Sequence, residues 1–314
     1  MCDRSHAPRK SLPVTVVIPT WKRAAWLQRC LDAVLSQESS PEQVVVVGRA
    51  EDEAARKVVN GFGDRVVWQE VSKPGHVEPL RAALTVVSTP FVAVLDDDAE
   101  PLRSDWLARL IEVLVERDNV ACVGSQVRNV GLEPPRASPH SGRLRWYGRL
   151  VGNVAARTDS VPVEVDALPE GNWAWRTNAL KSCDIDAIWD SGDASMYSLD
   201  LCLQVKATGW RVLYTAAAPV LHHLAPRDNS LRRDDLPQRS FAFSRNMTYI
   251  ALKHYRWRLI PFSLWTVLVG ERYFYGLLAV LRELSSRDRQ PTAITASLRG
   301  RVSGVEVWVR RRAQ

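Results

Sequence analysis

The chain has 314 residues, of which 46% are hydrophobic and 25% are charged, and its formal net charge is +7. This composition is typical of a folded protein with one large domain or two smaller ones, and it excludes an intrinsically disordered chain. The five cysteines are scattered and form no CxxC pair, which argues against a disulfide framework or a zinc site and favours a reducing, cytoplasmic compartment.

The first part of the chain alternates predicted strands with predicted helices. Residues 1–11 have no apolar stretch, so we expect a disordered N-terminus without a secretory signal. Apolar and β-branched runs predict buried strands at residues 14–19, 43–47, 65–71 and 91–95, with helical patterns between them. Continuous apolar strands that alternate with helices are typical of a parallel sheet covered on both faces. The expected fold class is therefore α/β, with a Rossmann-like, mostly parallel sheet.

The fourth predicted strand, FVAVL, is followed directly by Asp96, Asp97 and Asp98. In open α/β sheets, ligands bind beyond the carboxyl ends of the strands, so these carboxylates are expected at the ligand edge. Adjacent carboxylates repel one another, and a hard cation such as Mg²⁺ or Mn²⁺ would neutralise them while leaving coordination positions for a diphosphate. A solvated loop or a helix N-cap is the alternative interpretation of this run.

Several motifs together carry a resemblance to a known family. They are VVIPTWKR (16–23), LDDDAEP (95–101), EGNWAWR (170–176), DLCLQVKATGWRVLY (200–214) and PVLHHLAPR (219–227). In this order and spacing they resemble family-two glycosyltransferases of the GT-A fold, over roughly residues 12–250. The resemblance implies a GT-A catalytic domain at residues 12–235, with a nucleotide-sugar half at 12–130 and an acceptor half at 131–235. It also implies inverting transfer of a sugar from a nucleotide-diphospho-sugar to an acceptor hydroxyl.

The resemblance also implies roles for residues on the donor side. Asp96 would contact the ribose or the metal, and Asp98 would ligate the Mn²⁺ or Mg²⁺ ion that bridges the diphosphate. The expected nucleotide-sugar-binding residues are Pro19, Thr20, Arg23, Asp52, Asp96 and Asp97. For Asp52 an alternative stays open: VVGRAEDE stands where the family commonly has VDDGS, and the start of an exposed helix explains Asp52 equally well.

His222 and Arg227 follow an apolar run near the end of the resemblance. Histidine can complete a metal shell, and adjacent strand residues point to opposite faces, so we expect His222 and not His223 to join Asp96 and Asp98 as a metal ligand. A core histidine is the alternative. Arg227 is a candidate for the diphosphate, because a guanidinium matches phosphate oxygens bidentately.

The expected catalytic base is where the sequence departs most from the family. The family usually carries an acidic pair just before the aspartate of DLC, and Tyr197 and Ser198 occupy those positions here. Serine is no base at neutral pH without an activating partner. Asp200 is therefore the first candidate base and Asp193 the second, with a helix N-cap as the alternative for Asp200.

Residues at the start of the EGNWAWR motif are expected on the acceptor side of the site. These are Glu170, Gly171, Asn172 and Trp173. An indole could stack on a sugar ring, although most of the 12 tryptophans are expected in the core.

Residues 236–314 form a basic, partly apolar segment in which we predict helices. Residues 225–314 contain 17 Lys and Arg against 7 Asp and Glu. The apolar run 259–270 is too short for a membrane span, which needs about 20 residues. Apolar and aromatic residues flanked by arginines favour helices lying on an anionic membrane surface, with an ordinary helical cap as the alternative. Basic residues among apolar helices argue against nucleic acid as a partner.

The sequence thus predicts a metal-dependent inverting glycosyltransferase, cytoplasmic and peripheral on the inner face of the membrane. Its acceptor is expected to be a lipid-linked or cell-envelope glycan. The main alternative is a catalytically degenerate nucleotide-sugar-binding protein of the same fold. A nucleotidyltransferase is disfavoured because PTWKRAAW lacks the glycines of a phosphate-binding loop.

Overall fold

The computed structural model of the chain describes residues 11–133, 136, 138–190, 194–225, 235–271, 273–285 and 291–313. The first half contains strands β1 (Ser11–Pro19), β2 (Ser40–Arg49), β3 (Val67–Val71), β4 (Phe91–Leu95), β5 (Ala99–Pro101) and β6 (Val120–Asn129). The helices among them are α1 (Ala24–Leu35), α2 (Glu53–Asn60), α3 (Glu78–Val86) and α4 (Trp106–Val115). The series begins with strand β1 at Ser11, the last residue of the expected disordered N-terminus; residues 1–10 lie outside the described part.

The second half completes the sheet and adds a helical segment. Its strands are β7 (Val163–Glu164), β8 (Asn172–Arg176), β9 (Arg211–His222), β10 (Gly270–Glu271) and β11 (Phe274–Tyr275). Its helices are α5 (Thr177–Lys181), α6 (Tyr197–Ala207), α7 (Leu236–His254), α8 (Leu259–Leu268), α9 (Leu277–Ser285) and α10 (Pro291–Arg312). Helices therefore cover much of the predicted C-terminal segment.

The main sheet has the strand order β3-β2-β1-β4-β8-β6-β9-β5, and β7 pairs with β9. Strands β1 to β4 pair in parallel, and β6 pairs in parallel with β9. Strand β8 is antiparallel to both β4 and β6. As a consequence, the carboxyl ends of β1, β4, β6 and β9 meet at one edge of the sheet, together with the amino end of β8.

Two hydrophobic cores cover the two faces of this sheet. Side chains alternate along β1, so that Val16 and Ile18 pack with α1, α2 and α4, while Val17 packs with α3, α5 and α6. Apolar residues on both sides of a strand explain why the strands are continuous apolar runs in the sequence. The predicted α/β class, with a large sheet covered on both faces, is confirmed.

The C-terminal helices are anchored to the sheet domain through a third core. Tyr249 and Ile250 of α7 and Phe262 of α8 pack there against Trp189 and Leu199. Helix α8 keeps Ile260 and other apolar side chains exposed. Within the described part of the chain, the helices are too short or too polar to cross a membrane.

Candidate active site

The acidic run and His222 converge at the edge where the strand ends meet. Asp96 and Asp98 follow β4, and His222 is the last residue of β9. His222 Nε2 lies 3.1 Å from Asp98 Oδ1 and 3.8 Å from Asp96 Oδ2. One side-chain ligand atom from each of the three residues lies within 4.8 Å of the others. His222, which lies 124 positions after Asp98 in the chain, thus joins the two aspartates in one compact cluster with the donor atoms of a metal site.

Neighbouring groups hold the two inner members of this cluster in place. His222 Nδ1 lies 2.8 Å from Asn129 Oδ1, and because an amide oxygen only accepts, Nδ1 carries the proton and Nε2 offers its lone pair to the cluster. The N–H of Ala225 donates to Asp98 Oδ2 at 2.7 Å, and Arg23 Nη1 lies 3.4 Å from the same oxygen. Burial disfavours the charged form of Asp98, but the His222 ring in its protonated form, Arg23 and the N–H of Ala225 together outweigh burial and lower the pKa of Asp98 to about 2. Asp98 is therefore a carboxylate at neutral pH.

Two buried atoms in this cluster lack hydrogen-bond partners within the described part of the chain. Among the described residues, Asp98 Oδ1 and His222 Nε2 are both buried and neither makes a hydrogen bond of acceptable geometry. Buried polar atoms are normally satisfied, and a carboxylate oxygen facing an imidazole lone pair is unfavourable without a cation or proton between them. Two carboxylates and one imidazole suit Mn²⁺ and related divalent ions. The residues present therefore fit a divalent metal.

The middle aspartate has a different role. Asp97 accepts hydrogen bonds from Thr20 Oγ1 at 2.7 Å and from Arg23 Nη1 at 2.8 Å, and its side chain is almost completely buried. Burial raises the pKa of Asp97 to about 6, although Arg23 and Thr20 oppose the rise. Arg23 also donates to the carbonyl of Ala225 at 3.0 Å. Asp97 therefore fastens the loop after β1 to the acidic run and does not point toward the metal cluster.

Gly171 lies against the outer carboxylate of the cluster. Its φ is +79°, and a Cβ added there would lie 2.3 Å from Asp96 Oδ2. The carbonyl of Gly171 also accepts from the Asp96 N–H at 3.4 Å. The glycine is thus required both by its left-handed backbone and by the closeness of Asp96. Glu170, the preceding residue, is only partly buried.

Comparison with known proteins agrees with this site. The sequence profile described as glycosyltransferase like family 2 matches residues 9–241. The chain belongs to this family. In sequence, 276 residues are 24% identical to the uncharacterized protein y4gI of Sinorhizobium fredii, covering 83% of this chain and 29% of that protein. The chain thus spans less than a third of that relative's length.

Solved structures of glycosyltransferases share the fold. TarS of S. aureus (residues 1–349), in complex with UDP-GlcNAc, is 14% identical with a TM-score of 0.59, covering 91% of this chain and 79% of that one. The mannosyltransferase PcManGT of Pyrobaculum calidifontis, in complex with GDP-Man and Mn²⁺, is 15% identical with a TM-score of 0.54, covering 95% and 87%. The GT-A fold expected from the family resemblance is confirmed.

The first candidate base for a family-two enzyme is enclosed by protein. Asp200 has no exposed side-chain surface. Its Oδ1 accepts from His254 Nε2 at 2.6 Å, and its Oδ2 accepts from Lys253 Nζ at 3.0 Å and from Trp189 Nε1 at 3.1 Å. Burial raises the pKa of Asp200, but His254 and Lys253 outweigh it and lower the pKa. Within the described part of the chain, Asp200 therefore links α6 to α7, and its role as the catalytic base stays a prediction.

Two residues expected on the acceptor side are also core residues. Asn172 is fully buried, with Oδ1 accepting from Trp106 Nε1 at 2.9 Å and Nδ2 donating to the carbonyls of Gln126 and Ala218, each at 3.0 Å. Trp173 is fully buried as well, in the second face's core. Asn172 therefore joins β8 to its neighbours, and neither side chain has surface with which to contact an acceptor.

The remaining predictions fall on the nucleotide side or outside the described residues. Pro19 ends β1, and the N–H of Thr20 donates to the Val47 carbonyl at 2.9 Å, so both lie at the expected edge. Asp52 is buried as the N-cap of α2 and accepts from the N–H groups of Ala55 and Lys22. It holds the loop after β1 through its side chain. Asp193 and Arg227 lie outside the described residues.

Two features of the site were missed in the sequence. Asn129, at the end of β6, orients His222, but a single asparagine after a strand carries no distinctive signal. Arg49 lies over the ring of the partly exposed Trp21, 4.1 Å from its centroid, where the ends of β1 and β2 adjoin. The Trp21 indole beside a guanidinium is suited to contact a nucleobase.

Proposed function

We propose that this protein is a metal-dependent inverting glycosyltransferase that moves a sugar from a nucleotide-diphospho-sugar to an acceptor hydroxyl. The observation that carries the proposal is the cluster of Asp96, Asp98 and His222 at the carboxyl edge of the sheet. Membership of glycosyltransferase family 2 supports the same reaction. The complexes of TarS with UDP-GlcNAc and of PcManGT with GDP-Man support a nucleotide-sugar donor.

The metal would be held by Asp96, Asp98 and His222. When bound, it supplies a Lewis acid that stabilises the charge developing on the diphosphate leaving group. Asn129 keeps the imidazole turned toward the cluster, and the Ala225 N–H keeps Asp98 in register with it. An imidazole nitrogen in the set favours Mn²⁺ over Mg²⁺, which prefers oxygen ligands.

The nucleotide would lie at the ends of β1 and β2. Thr20 and Arg23 are fixed there by Asp97, and Trp21 offers an aromatic surface for the base. Because Asp97 is engaged by these two residues, its contribution to the donor is indirect. It positions the loop that receives the nucleotide.

A thermal-shift panel tests the donor and the metal together. UDP-, GDP- and dTDP-sugars are each added with and without Mn²⁺, since a ligand that binds the native state raises its melting temperature. One nucleotide class should raise the melting temperature strongly in the presence of Mn²⁺ and weakly in its absence. A panel in which no nucleotide sugar shifts the melting temperature, with or without metal, contradicts the proposal.

A catalytically degenerate nucleotide-sugar-binding protein is the second candidate. It is favoured by Tyr197 and Ser198 in place of the family's acidic pair, and by the enclosure of Asp200. Turnover separates the two candidates. The donor selected by the panel should release its nucleoside diphosphate steadily if the protein is an enzyme, and should remain intact if it only binds.

The exposed side chains of the C-terminal helices suggest where the acceptor is located. Ile260, Leu264 and Leu268 of α8 are exposed, as are Arg256 and Trp257 just before this helix. On α9, which packs next to α8, Leu277, Leu278 and Leu281 are exposed. Apolar side chains with adjacent arginines suit the surface of an anionic membrane, and the free thiols of the described cysteines are compatible with its cytoplasmic side. We therefore include in the proposal a peripheral location and a lipid-linked or cell-envelope glycan as acceptor.

Flotation with liposomes tests this location. The wild type should float with vesicles that contain phosphatidylglycerol and should remain at the bottom with neutral vesicles. Ile260→Asp together with Leu264→Asp should abolish flotation, whereas Val302→Asp, at an exposed valine of α10, is the matched control. A folded wild-type protein that stays at the bottom with both vesicle types contradicts the location, without touching the transferase proposal.

A further inference from the structure

A pocket of about 280 Å³ lies where the loop at residues 149–152 meets helices α7 and α8 and the β10-β11 pair. Its lining includes the side chains of Met196, Phe243, Met247, Phe262, Trp265 and Phe274. An apolar cavity of about 150 Å³ is large enough to hold a benzene molecule. This pocket therefore has room for a larger apolar group than a single ring.

Two charged side chains in the lining are paired with each other. Arg149 Nε lies 3.4 Å from Glu271 Oε2, and the Arg149 guanidinium lies 5.5 Å from the ring centroid of Trp265. Burial raises the pKa of Glu271, and Arg149 opposes the rise. A buried sugar needs hydrogen-bond partners for its hydroxyls, since burying a hydroxyl without a partner is costly. Because most of the remaining lining is apolar or aromatic, the pocket suits an apolar chain better than a glycan.

Helix α8 separates the pocket from the surface proposed to lie on the membrane. Phe262 and Trp265 of this helix line the pocket, whereas Ile260 and Leu264 are exposed on its other side. An α-helix with its side chains is about 10 Å thick. A membrane that contacts the exposed side of α8 would therefore have lipid chains roughly one helix diameter from the pocket.

The start of α6 connects the pocket to the metal cluster. Met196, which lines the pocket, directly precedes α6 and has a left-handed backbone with a φ of +78°. Such a conformation is unfavourable for methionine and is found mainly at functional sites. In the first turn of α6, the N–H of Ser198 lies 3.5 Å from Glu170 Oε1, and Gly171, the next residue, lies against Asp96. A ligand held in the pocket would thus be bound next to the helix that begins beside the metal cluster.

We infer that this pocket binds the apolar chain of the lipid carrier to which the acceptor glycan is attached. Burial of the chain against the aromatic and methionine side chains removes apolar surface from water and provides the binding energy. The glycan then extends along the start of α6 toward the metal cluster. The pocket thereby favours lipid-linked glycans over free ones. The assignment to the acceptor rests on the proposed function.

Photolabelling with an alkyl glycoside tests the inference. The probe is octyl β-glucoside that carries a diazirine at the end of its alkyl chain, used below its micelle concentration, and mass spectrometry locates the label after illumination. We expect label on the pocket residues Met196, Phe243 and Met247. Unlabelled octyl β-glucoside should displace the probe, whereas glucose at the same concentration should not, because the chain and not the sugar is bound.

Variants show whether the label depends on the pocket. Leu150→Trp places a larger side chain in the lining and should lower labelling about tenfold, since overfilling a packed site costs 1–3 kcal/mol. Leu132→Trp, the same change at an exposed leucine outside the pocket, is the matched control and should be labelled like the wild type. Ile260→Asp together with Leu264→Asp alters only the exposed side of α8 and should leave labelling of the pocket unchanged.

The outcomes separate the inference from the function beneath it. Label confined to the exposed side of α8, displacement by glucose, or unchanged labelling of Leu150→Trp overturns the inference. Should Leu150→Trp fail to fold, Phe243→Trp narrows the pocket from α7, and the same criterion applies. If a nucleotide sugar binds but the pocket is not labelled, the inference is overturned while the transferase proposal stands. If no nucleotide sugar binds, the proposed function fails, and the assignment of the pocket to the acceptor fails with it.

Discussion

The two buried aspartates Asp98 and Asp200 have similar surroundings but differ in how their carboxylate oxygens are satisfied. Asp98, after β4, and Asp200, on α6, have almost no exposed side-chain surface, and each lies against a histidine. Both oxygens of Asp200 are satisfied by donors from Trp189, Lys253 and His254. Asp98 instead keeps Oδ1 without a hydrogen bond from the described residues, beside a second carboxylate.

The difference lies in what completes each group. Around Asp200, hydrogen-bond donors and cationic side chains of the protein offset the cost of burying the carboxylate charge. This cluster therefore needs no ligand, and it stabilises the contact between α6 and α7. Around Asp98 the described residues leave one carboxylate oxygen without a hydrogen bond, so a bound cation is needed to offset its burial. Burial alone therefore does not distinguish a structural carboxylate from a metal ligand. The distinction lies in whether the protein itself supplies partners for both carboxylate oxygens.

Removing Asp98 should have the largest effect. Asp98→Asn keeps an oxygen for the Ala225 N–H but loses the charge that the metal needs. Loss of a residue that only orients a metal ligand typically lowers activity by roughly 10–100-fold. We expect donor turnover to fall by more than this, and the Mn²⁺-dependent thermal shift to disappear. The measurement is donor hydrolysis with and without Mn²⁺. If donor hydrolysis by Asp98→Asn depended on Mn²⁺ as in the wild type, Asp98 would not be a metal ligand and would not differ from Asp200 in this way.

Removing Asp200 should change stability and leave the metal site intact. Asp200→Asn leaves Lys253 and His254 without their buried counter-charge, and breaking such a pair costs about 3–5 kcal/mol. The free energy of unfolding, measured in urea, should fall accordingly. Asp184→Asn, at a half-exposed carboxylate paired with Arg311, is the control and should cost under about 1 kcal/mol. A stable Asp200→Asn that has lost donor turnover would reverse the assignment.

The stability difference between wild type and Asp200→Asn should also depend on pH. His254 and Lys253 outweigh burial and hold the pKa of Asp200 below its usual value, so the unfolded state binds more protons than the native state in the acid range. The contribution of Asp200 is therefore fully present above about pH 4, the ordinary pKa of aspartate, and is lost as the pH falls through the native pKa. A difference that grows on acidification would contradict this account.

The residue that orients His222 should give the smallest effect. Asn129→Ala removes the acceptor for Nδ1–H and frees the ring to turn or to change tautomer. Loss of such a partner typically lowers metal affinity by about 10–100-fold. Titration with Mn²⁺ should show this weakening with little change in the melting temperature of the metal-free protein. Unchanged Mn²⁺ affinity would mean that the hydrogen bond does not prepare His222 for a metal.

Much of the sheet could be predicted because its strands are buried on both faces. The runs that form β1, β2 and β4 are continuously apolar for that reason. The observed strands include the residues predicted for them. The strand β8 was not predicted as an antiparallel insertion between β4 and β6. Strand direction depends on how the chain returns to the sheet, and no local pattern records it.

The site was predictable where chemistry follows a strand directly. Asp96 and Asp98 stand at the end of a strong strand signal, and His222 was joined to them because a histidine can complete a metal shell. The enclosure of Asp200 could not be predicted, because its partners Lys253 and His254 are more than 50 residues away on another helix, where a sequence pattern cannot pair them with it. Asn172 resembled a ligand-side polar residue, but its partners are backbone carbonyls and an indole inside the fold.

The most direct measurement is anomalous diffraction at the manganese edge, from crystals soaked with Mn²⁺ and the nucleoside diphosphate of the selected donor. The account predicts a peak bounded by Asp96, Asp98 and His222, with diphosphate oxygens completing its coordination. A well-ordered nucleoside diphosphate without a peak at these three residues, or with manganese bound elsewhere, would contradict it.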